Sequence, residues 1–218
     1  MFRYILLGLA FFSLSGCASD NPKKVIWSGG YLTTAPPSTA FGPGNIVWKK
    51  NNIYNSKNDV SLGYICSPEF IKFPGKPEIS SSEQINIKNN KTFKLTADNF
   101  DLIGLDASAE YVKAVTMTFS NTEMQEYALD KIQMITSRLG PECKKILTAQ
   151  RKKANAFAVV SAFKADLSYQ ITYKANVSTK AKLQVMKELK AEFGIGLDGA
   201  SGSVGKGLYY GVDLQPVM

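Results

Sequence analysis

The sequence predicts an α+β fold, an antiparallel sheet covered by about three amphipathic helices. Two periodicities lead to it. Apolar residues alternate with polar ones at 60–66, 115–119 and 163–177, as half-buried strands require. They recur at helical spacing at 124–139 and 183–193, as helices with one apolar face require. The chain has 218 residues, 44% apolar and 20% charged, which is the balance of a globular protein rather than a disordered one.

The elements follow in chain order. Ile46-Val47-Trp48 is a candidate strand, and Val60, Leu62, Tyr64 and Cys66 alternate with Ser61, Gly63 and Ile65 as another. Ile85 and Ile87, then Asn89-Asn90, then Phe93 and Leu95 read as a hairpin. Val115, Met117 and Phe119 alternate with Thr116, Thr118 and Ser120. The period then changes. Ser120-Asn121-Thr122-Glu123 has the form of a capping box, and Met124, Ala128, Ile132, Ile135 and Leu139 follow at helical spacing. Gly140-Pro141 ends that helix, and Pro141 suits the first turn of the next. The second helix runs to about Lys153 and buries Cys143, Ile146 and Leu147.

The clearest strand spans 163–177. Phe163, Ala165, Leu167, Tyr169, Ile171, Tyr173, Ala175 and Val177 share one face, and polar residues take the other. Such a strand belongs to an antiparallel sheet with one face on a helix layer and one in water. The same pattern also suits a strand that enters a membrane, where about 10 alternating residues span. A third helix covers 179–193, with Leu183, Met186, Leu189 and Phe193 on one face and Lys180, Lys182, Lys187 and Lys190 mostly elsewhere. Leu208, Tyr210, Val212 and Leu214 alternate into a closing strand.

The amino end reads differently. Arg3 precedes an uncharged run from Tyr4 to Phe12, the layout of a secretory signal and too short for the roughly 20 residues of a transmembrane helix. Leu14-Ser15-Gly16-Cys17 follows. These four residues resemble the lipobox of bacterial lipoproteins. The resemblance covers residues 1–17 only. It implies diacylglycerol in thioether linkage on Cys17, cleavage before it, and acylation, commonly with palmitate, of the new amino terminus. Several acyl chains anchor durably where one is marginal. Ala18 rather than aspartate follows the cysteine, which in that family implies passage to the outer membrane, facing the periplasm. The expected layout is thus 1–16 signal peptide, 17–44 lipidated tether and 45–218 a single globular domain. Within the tether, Val25-Ile26-Trp27 is a short apolar patch open to an edge strand, and Pro36, Pro37 and Pro43 mark an extended spacer.

Charge and rare residues narrow the function. The net charge is +8, and losing Arg3 leaves +7. For an exported protein this excess favours anionic lipid head groups over nucleic acid, for which no motif occurs. Histidine is absent, which removes Ser-His-Asp and Cys-His catalysis and His-ligated zinc. With Cys17 acylated, Cys66 and Cys143 remain. They are open to a disulfide in an oxidising compartment or to two separately buried thiols.

Other motifs fail on context. Gly194-x-Gly196-x-x-Gly199 follows a helix instead of a strand, and 194–207 reads as a flexible loop. Ser161-x-x-Lys164 and Ser203-x-x-Lys206 have the spacing of a serine–lysine pair, which needs one helical face. Asp98, Asp101, Asp106 and Glu110 lack the spacing of a calcium loop. The expectation is a non-enzymatic, lipid-anchored envelope protein, without metal or cofactor, that binds or assembles with a protein partner. The alternative is a membrane-active or pore-forming protein using the 163–177 strand.

Overall fold

The computed structural model describes residues 23, 26, 29–50, 59–67, 76–80, 87–100, 105, 108–151, 156–193 and 199–217. Its strands are β1 (Leu32–Ser38), β2 (Ile46–Lys49), β3 (Asp59–Val60), β4 (Leu62–Cys66), β5 (Glu78–Ser80), β6 (Lys91–Leu95), β7 (Val112–Glu126), β8 (Ala156–Tyr173) and β9 (Ser201–Pro216). Its helices are α1 (Leu129–Ser137), α2 (Pro141–Arg151) and α3 (Thr179–Phe193).

All nine strands join in one sheet whose main path runs β3-β1-β9-β8-β2-β4, with β7 added to β8, and β5 and β6 to β7. β3 and β4 are separated only by Ser61, yet β3 pairs with β1 and β4 with β2. The ribbon therefore closes on itself as a small barrel of β1, β9, β8, β2 and β3–β4, which leaves those strands no open edge. Val47, Val60, Leu62, Val159, Ala162 and Val212 fill its interior beside Phe41. Gly63 lies under the Trp48 indole, where any Cβ would collide with the ring. Beyond the barrel, β8 and β9 continue as an open antiparallel sheet with β7 and β6.

The expectation of a sheet covered by three helices is overturned. Strands dominate the described residues, and the helices have only 9, 11 and 15 residues. Of the described helices only α3 lies on the open sheet, where Val185, Leu189 and Phe193 join the main core, and it also packs against β1. α1 and α2 pack instead beside the start of β8, with Ile132, Ile135, Leu139 and Leu147 on Ile46, Cys66, Ala156 and Ala158. The sequence pattern misleads here because part of the presumed first helix is strand. β7 runs through the capping-box residues to Glu126, helped by a bulge between Ser120 and Glu123 and by Asn121 at φ 49°.

Other elements shift for local reasons. The long strand starts at Ala156 and stops at Tyr173, because the chain turns at Asn176 with φ 59°. Ser178 then caps α3, its Oγ accepting from the Ala181 amide at 3.2 Å. β9 occupies much of the presumed glycine loop from Ser201 onward, with Gly207 at φ 62° taking a bulge conformation that glycine adopts at low cost. Phe93 and Leu95 pair with Met117 and Val115, while Ile85, the other arm of the presumed hairpin, lies outside the described residues.

The sheet also begins inside the stretch read as a tether. β1 pairs with β9, and Lys23 and Ile26 are buried. Lys23 Nζ lies 2.9 Å from Asp59 Oδ2, and the Thr33 hydroxyl donates to the other carboxylate oxygen. Burial lowers the Lys23 pKa, and the Asp59 charge works against that fall. Cys17 lies outside the described residues.

Candidate functional site

The open sheet is the candidate site, and it is built by alternation. Its apolar face holds Phe93 and Leu95 of β6, Val115, Met117 and Phe119 of β7, and Phe163, Ala165, Leu167, Tyr169 and Ile171 of β8. Tyr210 of β9 completes it. Phe119 sits at the centre, with edge-on contacts to Phe93, Phe163 and Tyr210 at centroid distances of 5.9, 5.7 and 5.2 Å. α3 covers this face through Val185, Leu189 and Phe193. The buried stripe is thus centred on Val185 rather than on Leu183, which is 54% exposed.

The opposite face is polar. Register pairs Thr92 with Thr118, Thr118 with Ser168 and Ser168 with Ser203, a row of hydroxyls across four strands. The next row is Lys94, Thr116, Gln170 and Ser201. A shallow groove of about 450 Å³ runs over Thr116, Thr118, Ser168, Gln170 and Ser201. Thr92 and Thr118 hydroxyls meet at 2.9 Å. Sequence reasoning finds the β7 and β8 members of these rows but not Ser201 and Ser203, since β9 lacks a clean period.

Where this face approaches the barrel it becomes charged. Lys164 Nζ lies 3.3 Å from Glu123 Oε2, which also accepts from Gln125 Nε2 at 2.8 Å. The Tyr209 hydroxyl donates to Gln125 Oε1 at 2.7 Å. Asp166 accepts from Asn121 Nδ2 at 2.7 Å and the Gly207 amide at 2.6 Å, and the Asn121 bond leads in lowering its pKa.

The remaining sequence candidates fall elsewhere. Cys66 and Cys143 form a disulfide that ties β4 to α2, with Cα atoms 6.0 Å apart. An apolar groove of about 560 Å³ opens beside it, lined by Tyr64, Ile65, Leu139, Pro141, Glu142 and Ile146 among others. Ile146, expected inside, is 44% exposed at this groove. Ser161 does not meet Lys164: its hydroxyl donates to the Tyr31 oxygen at 3.2 Å, whereas Lys164 pairs with Glu123. Ser203 and Lys206 lie on strand β9, where a serine–lysine pair of that spacing has no helical face to share. Of the acidic candidates, Asp101 and Asp106 lie outside the described residues. Among the described residues no cluster of three or more metal-ligating side chains occurs, and no helix is long and apolar enough to cross a membrane.

No family model matches the chain, and no curated protein matches it. Among solved structures, a bacterial gasdermin from Bradyrhizobium tropiciagri is similar over 88% of this chain and 83% of its own, at 14% identity and a TM-score of 0.36, a likeness too loose to carry a function across.

Proposed function

We propose that the protein is a membrane-active lipoprotein of the bacterial cell envelope, whose β7–β8–β9 sheet enters the bilayer when α3 lifts from it. One observation carries this reading. Two neighbouring antiparallel strands of 15 and 18 residues, β7 and β8, share one face that is apolar beneath a single amphipathic helix and is completed by Tyr210 of β9, and another that is polar over its open part. A strand needs only about 9–11 residues to cross a bilayer. With α3 displaced, the apolar face would meet acyl chains and the hydroxyl rows would face water. Unpaired strand edges are intolerable in hydrocarbon, and three long strands cannot close alone. Insertion therefore requires several copies of the chain side by side. Acylation of Cys17 would hold those copies at one surface, at the outer membrane by the reading of Ala18. No enzymatic step is involved.

Dye release from lipid vesicles tests this. The wild-type chain should release dye with a steep dependence on its concentration. Leu189→Asp, which loosens α3 and leaves the sequence of every strand unaltered, should lower the concentration required. No release by either chain at any concentration would refute the reading.

A second reading, a non-enzymatic binding or assembly component with a protein partner, is favoured by the apolar groove beside Cys66–Cys143. It predicts no release, and after crosslinking in the envelope a band above the monomer mass that Ile146→Asp abolishes.

A further inference from the structure

Packing on the sheet uses one side of α3 and leaves the other outward. At 100° per residue, Val185, Leu189 and Phe193 point one way, while Lys180, Leu183, Lys187 and Lys190 fall within one narrow arc opposite. All four are exposed, Leu183 to 54%. Glu188 lies off this stripe, half buried, with its carboxylate accepting from Gln184 at 2.9 Å. Lys182 also lies off it, over the Tyr173 ring. The outer face is thus three lysines around one exposed leucine.

A second observation places this face. Lys23 is locked on Asp59, with its ammonium 6.0 Å from the Phe193 ring centroid in the last turn of α3. Lys23 lies six positions after Cys17, a span of about 20 Å when fully extended. An acyl anchor on Cys17 would therefore hold the end of α3 that bears Lys190 near the lipid surface, at that reach plus the Lys23 side chain and its 6.0 Å to the Phe193 ring.

We infer that the outer face of α3 is a docking surface for anionic phospholipid, with Lys180, Lys187 and Lys190 on the head groups and Leu183 at the acyl boundary. The charges are complementary, and an exposed leucine amid lysines suits an interface of head group and hydrocarbon. The inference rests on the membrane-active, lipid-anchored reading above and assigns its first contact.

The test uses the mature-length chain carrying Cys17→Ser, so that no acyl group masks the contact. Flotation with phosphatidylglycerol-containing vesicles is compared with flotation on pure phosphatidylcholine. A lysine near an anionic surface contributes about fivefold in affinity, so Lys180→Gln/Lys187→Gln/Lys190→Gln should weaken binding on the order of 100-fold. The control Lys131→Gln/Lys144→Gln/Lys145→Gln, on α1 and α2, should bind like the parent. Added salt should erase most of the parent's preference for the anionic vesicles. Circular dichroism confirms that each variant is folded. Binding unchanged in the α3 variant, equal loss in the control, or no preference for anionic vesicles would each overturn the inference. An acidic protein would then be the occupant to seek. Dye release is scored separately on the same vesicles. A chain that docks through α3 and releases nothing refutes insertion and leaves the docking face standing.

Discussion

Tyr210 shows how the core of the open sheet is held at the level of single side chains. Its ring packs on Phe119 and Phe163, and it is 3% exposed. Its hydroxyl is buried with no hydrogen-bond partner among the described residues. A buried hydroxyl without a partner carries a desolvation cost, so Tyr210→Phe should stabilise the fold by about 1 kcal/mol, read as a raised urea midpoint at neutral pH. The same residue makes the fold sensitive to alkali. Burial raises the Tyr210 pKa, and it is also the leading cause of raised values at Tyr31, Tyr127, Tyr173 and Tyr209. In the unfolded chain these phenols ionise near 10.0. Their contribution is complete below that pH and is lost as pH rises toward the higher folded values. Lys23 works in the opposite sense, since its folded pKa is lowered, but it is one group against five. The wild type should therefore weaken above pH 10, and Tyr210→Phe should weaken less. Identical alkaline limbs for the two proteins would contradict this.

Among the elements, legibility in the sequence follows the cleanness of the pattern. β8 is readable because apolar residues occupy alternate positions from Phe163 to Ile171 without a break. β9 is readable only from Leu208 to Leu214, because Gly202, Gly205 and Gly207 empty the positions that would extend its period toward Ser201. β7 is cut short in the sequence at Ser120, where Ser-Asn-Thr-Glu satisfies the rules for a helix start. In the structure Asn121 takes a positive φ and the strand passes through. The stripe of α3 is rotated from expectation because Leu183 and Val185 are both apolar and only the sheet decides which is covered. The disulfide stands apart: elimination of Cys17 points to Cys66 and Cys143, but only the fold brings β4 to α2. It bridges 77 residues, so a reductant or the pair Cys66→Ser/Cys143→Ser should cost about 2–4 kcal/mol of stability. An unchanged urea midpoint under reductant would show that α2 holds β4 without the bond.

For the whole molecule, the barrel closure is the feature sequence reasoning could not reach. It depends on Thr33 pairing with Asp59 and on the continuity of β3 with β4, which no local period encodes. The closure divides the sheet into a closed end, where every strand has two neighbours, and an open end whose apolar face shares a core with α3, which also packs against β1. The proposed membrane action belongs to the open end. Single cysteines on β8 carrying an environment-sensitive fluorophore test it directly in a chain with Cys17→Ser, since Cys66 and Cys143 are tied in a disulfide. Vesicles containing nitroxide-labelled lipid quench only a probe that reaches hydrocarbon. The account predicts quenching at Tyr169→Cys and Ile171→Cys and none at Ser168→Cys and Gln170→Cys, a period of two written in lipid contact. Probes that stay unquenched at all four positions, or are quenched alike at all four, would contradict it.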